Sequence, residues 1–204
     1  MTKIHIIGGP GSGKSYIAAK LSKMLGLPKH DLDNFFWDQE SDYFGSQTPP
    51  FKRAEKLASV MSQDKWIIEG VYHSWIEESF RQADYIFVLK TNVYVRDWRI
   101  LKRFVLRKVK LASSLRRENL KTLIDLIKWN HQYDGNNLVQ AIKLMKPYKD
   151  KVIILTKNDD VFKLFKKRKR RQANIEKTAL IKGSFLKQTL IWCGADLLLS
   201  KPLS

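Results

Sequence analysis

The chain has 204 residues, a formal net charge of +18 and an apolar content of 44 %. That length is enough for one α/β domain of ordinary size with a real core, and the apolar content lies in the globular range. The lone cysteine, Cys193, excludes an intramolecular disulfide, and the excess of Lys and Arg over acids attracts polyanions such as nucleotides, nucleic acid or an anionic membrane face.

The first element is a short buried strand, Ile4–Ile7, followed by Gly8-Gly9-Pro10-Gly11-Ser12-Gly13-Lys14-Ser15. These residues match the P-loop pattern G-x-x-x-x-G-K-[ST] at every fixed position. A helix follows from Ser15 to Leu25, with Ile17, Leu21 and Leu25 on one stripe. Strand, glycine loop and helix come in the order that phosphate binding needs. Glycines let backbone N–H groups turn inward around phosphate oxygens, and the helix N-terminus adds partial positive charge. Gly8 to Tyr16 is therefore the expected nucleotide-phosphate site, with Lys14 reaching the β- and γ-phosphates and the Ser15 hydroxyl on Mg²⁺.

A weak second strand lies near His30–Leu32, and His30-Asp31-Leu32-Asp33 falls at its end. Strand C-termini of a parallel sheet gather around the ligand crevice. Asp31 and Asp33 are two apart and share a face in extended chain. One is placed to assist Mg²⁺ and the other to orient or deprotonate a hydroxyl nucleophile; a helix N-cap or a solvated loop acid is the plainer alternative. Asp33 is the stronger candidate, and His30 is structural, since no second His or Cys stands at ligand spacing. Phe35, Phe36, Trp37, Tyr43 and Phe44 follow, either as a stacking surface for a flat substrate or as a small core under the loop.

Pro49-Pro50 signals the start of a helix from Phe51 to Met61. The strand Trp66–Glu69 ends on an acid and Gly70, which makes Glu69 a second metal candidate beside Ser15. After a strand at Tyr85–Leu89, Thr91 or Asn92 caps a long helix from Val93 to about Lys110. Within it Arg99 and Arg103, at i and i+4, form either a clamp for a transferring phosphoryl group or a solvated basic face, and Arg96 and Arg107 continue the stripe. The stretch from Arg96 to Arg117 holds nine basic residues against Asp97 alone. Helices at Leu120–Trp129 and Asn137–Met145, with a turn at Asp134-Gly135-Asn136, precede the last strand, Val152–Leu155. Strands alternating with helices argue for a parallel sheet covered on both faces.

Beyond Phe165 the character changes. Lys166–Arg171 is a block of like charge suited to nucleic-acid backbones or simply to solvent, and residues 172–204 form a mixed tail with an amphipathic stretch, Ile181 to Leu199. The expected organisation is a domain over 1–165 and a basic, amphipathic tail over 166–204. No signal-peptide pattern opens the chain and no run is long enough to span a bilayer, so a cytoplasmic location is expected.

Three segments together resemble the adenylate-kinase-like P-loop proteins, and in particular the DNA topology modulation proteins. They are Leu32-Asp33-Asn34-Phe35-Phe36-Trp37, Trp66-Ile67-Ile68-Glu69-Gly70-Val71-Tyr72, and Trp98-Arg99-Ile100-Leu101-Lys102-Arg103. The resemblance covers roughly residues 1–165. It implies a three-layer P-loop NTPase fold with a five-stranded parallel sheet, ATP binding and an arginine-bearing lid around 104–118. Two departures stand out. Glu69 replaces the family's usual Asp, and no Arg lies between Lys14 and Phe51 or directly after Gly70, where monophosphate kinases hold the acceptor phosphate. A hydroxyl acceptor needs a base such as Asp33 more than it needs cations. The expectation is an ATP- and Mg²⁺-dependent phosphotransferase acting on a small-molecule hydroxyl. The competing expectation is a nucleic-acid-associated ATP-dependent regulator or a nucleic-acid end kinase.

Overall fold

A computed structural model describes residues 2–38, 41, 45–110 and 120–166 of the chain. Residues Met1–Asn158 form one compact unit; a second begins at Asp159, and its described part is helical over residues 160–166. Residues 111–118 of the lid expected around 104–118, the aromatic residues Tyr43 and Phe44, the basic positions 167–171 and the tail at 172–204 lie outside the described residues.

The first unit is built on a five-stranded sheet in the order β2-β3-β1-β4-β5. The strands are β1 (Thr2–Gly8), β2 (Lys29–Asp31), β3 (Lys65–Gly70), β4 (Tyr85–Leu89) and β5 (Val152–Leu155). Every pairing is parallel. The central strands are apolar almost throughout because both their faces are covered. The helices are α1 (Lys14–Leu25), α2 (Asp33–Phe36), α3 (Pro50–Met61), α4 (Glu77–Gln82), α5 (Val93–Lys110), α6 (Leu120–Tyr133) and α7 (Asn137–Met145). They place an α/β three-layer architecture where the strand–helix alternation predicts it.

One face of the sheet contributes Ile7, Trp66, Ile68, Ile86 and Val88 to a core with Leu57 and Val60 of α3, Phe80 of α4 and Leu138 of α7. The opposite face receives Ile17, Ala18 and Leu21 of α1, which contacts β1, β2 and β3. The period-two pleat sends Ile67 and Glu69 to this second face. That alternation carries Glu69 toward the start of α1.

Local chemistry sets the helix ends. The Asn92 side chain accepts from Tyr94 N–H at 2.9 Å and caps α5. Thr91 instead sends its hydroxyl to the Ser12 carbonyl. Pro50 opens α3 as its first residue, where a missing N–H costs nothing. Gly26, at φ 66°, closes α1 in the left-handed conformation.

Candidate active site

The carboxyl ends of β1, β2 and β3 meet the amino ends of α1 and α2 around one cleft of about 750 Å³. This is the crevice position expected of an open parallel sheet. Register brings the ends together: Ile6 and Asp31 both pair with Glu69.

The glycine loop forms the cleft's basic wall. Gly11 and Gly13 adopt φ values of 70° and 97°, a region that side chains resist. Gly13 is the N-cap of α1, so the first N–H groups of that helix have no intrahelical partner. Pro10, Gly11, Gly13, Lys14, Ser15 and Tyr16 line the cleft. Gly8 ends β1 in register with Leu89, and Gly9 backs onto Arg96 and Tyr133. Ser12 is fully buried behind the loop, and its carbonyl accepts from Thr91 Oγ1, Arg99 Nη1 and Asn158 Nδ2 at 3.1–3.2 Å. This convergence fixes the loop's curvature from behind.

Lys14 is buried, and its Nζ donates to the Gly9 carbonyl at 3.0 Å. Burial pushes its pKa down, opposed by the charges of Glu69, Asp33 and Asp31. Arg99 donates to the carbonyls of Gly11 and Ser12 at 3.1 and 3.2 Å. Arg103, one turn further along α5, lines the same cleft. Both arginines are solvent-exposed and both line the cleft, so the i, i+4 face borders the cleft and open solvent together. Arg96 departs from the expected stripe: it lies on the inner face of α5, with no exposed surface, and pairs with Asp134.

The acids form the opposite wall. Glu69 is 2 % exposed, and its Oε1 is buried without a partner. Burial raises its pKa, with the Asp31 charge adding to the rise and a hydrogen bond from Ser15 opposing it. Burial likewise raises Asp31, and the Asp33 N–H opposes that rise. The two aspartates do not share a strand face. The chain turns into α2 directly after β2, so Asp33 N–H donates to Asp31 Oδ1 at 2.9 Å. Asp33 Oδ1 in turn accepts from the Tyr72 hydroxyl at 2.8 Å. Burial, with the charge and the hydrogen bond of Asp33 adding to it, holds the Tyr72 phenol protonated.

The unsatisfied Glu69 oxygen and the Ser15 hydroxyl offer hard oxygen donors beside the loop, which fits Mg²⁺, an ion that keeps several waters and few protein ligands. Among the described residues no cluster of three or more His, Cys, Asp or Glu would hold a metal unaided.

The aromatic segment divides. Phe35 packs against the core, whereas Phe36 and Trp37 line the cleft. Phe36 stacks on Tyr72, with centroids 4.7 Å apart and planes at 24°. The Arg53 guanidinium of α3 lies over Phe36 at 4.7 Å.

No family model matches the chain. It is 29 % identical over 135 residues to the uncharacterized protein YqaC of Bacillus subtilis strain 168, an alignment covering 65 % of this chain and 72 % of YqaC. Its fold is similar to the crystal structure of shikimate kinase from Bacteroides thetaiotaomicron, with a TM-score of 0.49 and 14 % identity over 86 % of this chain and 98 % of that one. An uncharacterized protein from Eubacterium ventriosum ATCC 27560 is similar with a TM-score of 0.49 and 15 % identity, over 82 % of this chain and 98 % of that one. The resemblance to DNA topology modulation proteins rests on its three sequence segments alone. Among the described residues no helix is long and apolar enough to cross a membrane.

Sequence reasoning missed Tyr72 as a partner of Asp33, Asn158 as a brace of the loop and Arg96 as a buried cation. Only tertiary packing brings them to the site. Tyr72 follows the strand-end acid by three positions, and that spacing is the only local signal it carried.

Proposed function

We propose that the chain is an ATP-dependent phosphotransferase that moves the γ-phosphoryl group to a hydroxyl of a small molecule. One observation carries the reading: Asp33, held by Tyr72 at 2.8 Å, lines the same cleft as Lys14, Arg99 and Arg103. A base and a phosphoryl-stabilising set thus face one space of about 750 Å³, a volume suited to a nucleotide tail and a small acceptor.

In this reading the loop amides and Lys14 bind the β- and γ-phosphates. The acceptor oxygen attacks Pγ, forming a new O–P bond while the bond from Pγ to the β,γ-bridging oxygen breaks and ADP leaves. Asp33 takes the acceptor's proton, and Tyr72 fixes the carboxylate's orientation. Arg99 and Arg103 stabilise negative charge on the equatorial oxygens. Ser15 and Glu69 would hold Mg²⁺, which when bound neutralises charge on the phosphates. Phe36 and Trp37 supply an apolar surface for the acceptor.

The test is an ATP-consumption screen over metabolites and nucleosides carrying hydroxyl groups. With an acceptor in hand, Lys14→Ala removes turnover, while Asp33→Asn keeps ATP binding and lowers transfer by about 10²- to 10⁴-fold, the range of a general base. A screen in which no acceptor consumes ATP beyond slow hydrolysis overturns the reading. So does full transfer by Asp33→Asn.

A further inference from the structure

The floor of the glycine loop rests on a charged side chain that a backbone cradle does not require. Arg96 has no exposed surface. A Cβ built at Gly9 would lie 2.0 Å from Arg96 Nη1 and 3.1 Å from Tyr133 Cδ1, and one at Gly11 would lie 2.6 Å from the Arg96 carbonyl oxygen. The guanidinium therefore abuts the loop's first turn and the α5 main chain abuts its second.

The fork is held from the other side. Nη1 and Nη2 donate to Asp134 Oδ1 and Oδ2 at 3.1 and 2.7 Å, and Nη2 reaches the Asn130 carbonyl at 3.4 Å. Arg96 Nε is buried without a partner. The pair is asymmetric: the Arg96 side chain is 1 % exposed and that of Asp134 is 38 % exposed. Water screens the carboxylate, whereas the cation is shut off from solvent. A buried charge acts over a greater range than a wet one, so the field that reaches the loop is positive.

We propose that Arg96 is a positioning residue for nucleotide phosphates, a buried cation beneath the loop whose field Asp134 meters. It braces Gly9 and Gly11 and adds positive potential from behind, while Lys14 acts from the front. The assignment rests on the phosphate-binding reading of Gly8–Ser15. It also links the turn after α6 to the nucleotide site, because Asp134 lies in that turn.

A brace alone predicts that loss of either partner weakens binding, whereas a charge predicts opposite signs for the two. Calorimetric titration of the full chain with ATP and with inorganic tripolyphosphate separates them. Asp134→Asn keeps an oxygen acceptor for the fork but removes the opposing charge. It tightens both ligands about three- to tenfold, and the gain shrinks as salt is raised. Arg96→Met removes the cation and weakens both about tenfold or more. The double variant recovers part of that loss, because no unpaired carboxylate then remains behind the loop. If Arg96→Met does not fold, Arg96→Lys takes its place, and it keeps binding closer to wild type than loss of charge would allow. Weaker or unchanged binding by folded Asp134→Asn overturns the proposal. Wild-type chain that binds neither ligand overturns the phosphate-binding reading as well, which is a different failure from a wrong sign in the variants.

Discussion

Acidification from pH 7.5 to 5 costs this protein stability through one buried imidazole. His5 sits in β1 with no exposed surface, packed edge-on against Phe80 at 4.7 Å. Its Nδ1 is 2.9 Å from Ser79 Oγ, and that hydroxyl already donates to the Ile76 carbonyl at 2.7 Å. The ring must therefore carry its proton on Nδ1, which leaves Nε2 buried without a partner. A second proton on Nε2 would be a buried charge with no acceptor. Burial accordingly holds the folded pKa at about 3, against 6.5 for an ordinary imidazole. The unfolded chain takes up its proton near pH 6.5 and the folded chain does not, so stability is full above that pH and falls below it. The slope is about 1.4 kcal/mol per pH unit, or about 2 kcal/mol lost by pH 5, and the loss ends near pH 3 where the folded ring also titrates. Denaturant titrations at pH 7.5, 6.5, 5.5 and 5.0 measure it. His5→Asn keeps a donor toward Ser79 and removes the titration, so the wild-type slope minus the variant slope isolates His5 from His30, whose pKa burial also lowers. Equal slopes for the two proteins would refute the reasoning.

Other outcomes follow from the same geometry. Gly11→Ala puts a Cβ at φ 70° and 2.6 Å from a main-chain oxygen, so it lowers stability by about 2–4 kcal/mol and removes ATP binding, checked by thermal melts and calorimetry. Tyr72→Phe breaks the 2.8 Å bond to Asp33 and lowers kcat about tenfold while leaving the KM for ATP unchanged; a raised KM with unchanged kcat would place Tyr72 in nucleotide binding instead. Phe80→Ala empties a fully buried position beneath the sheet and costs about 3–5 kcal/mol in denaturant titration.

Much of the frame was legible before any coordinates. Four of the five strands lie at short apolar runs, and the three central ones stand out because a parallel strand buried on both faces has no polar alternation to hide it, whereas β2, Lys-His-Asp at the sheet edge, carries only a weak signal. The glycine loop declared itself because its backbone conformation admits few residues, so the constraint is written at fixed positions. Arg99 and Arg103 were legible as a pair because i, i+4 neighbours share a helix face whatever that face meets.

The sequence by itself determined the central strands, the longer helices and where a phosphate would be cradled, since those follow from local periodicity and local backbone sterics; the short helices α2 and α4 carried too few turns to show a period. Tertiary structure alone decided which charges are buried and which partners meet. Arg96 and Arg99 are three apart on one helix, yet one is sealed under the loop by Asp134 and the other lines the cleft. Asp33 and Tyr72 are 39 residues apart and meet because β2 pairs with β3 in a fixed register. Burial, register and field are properties of the packed whole, and no window of sequence contains them.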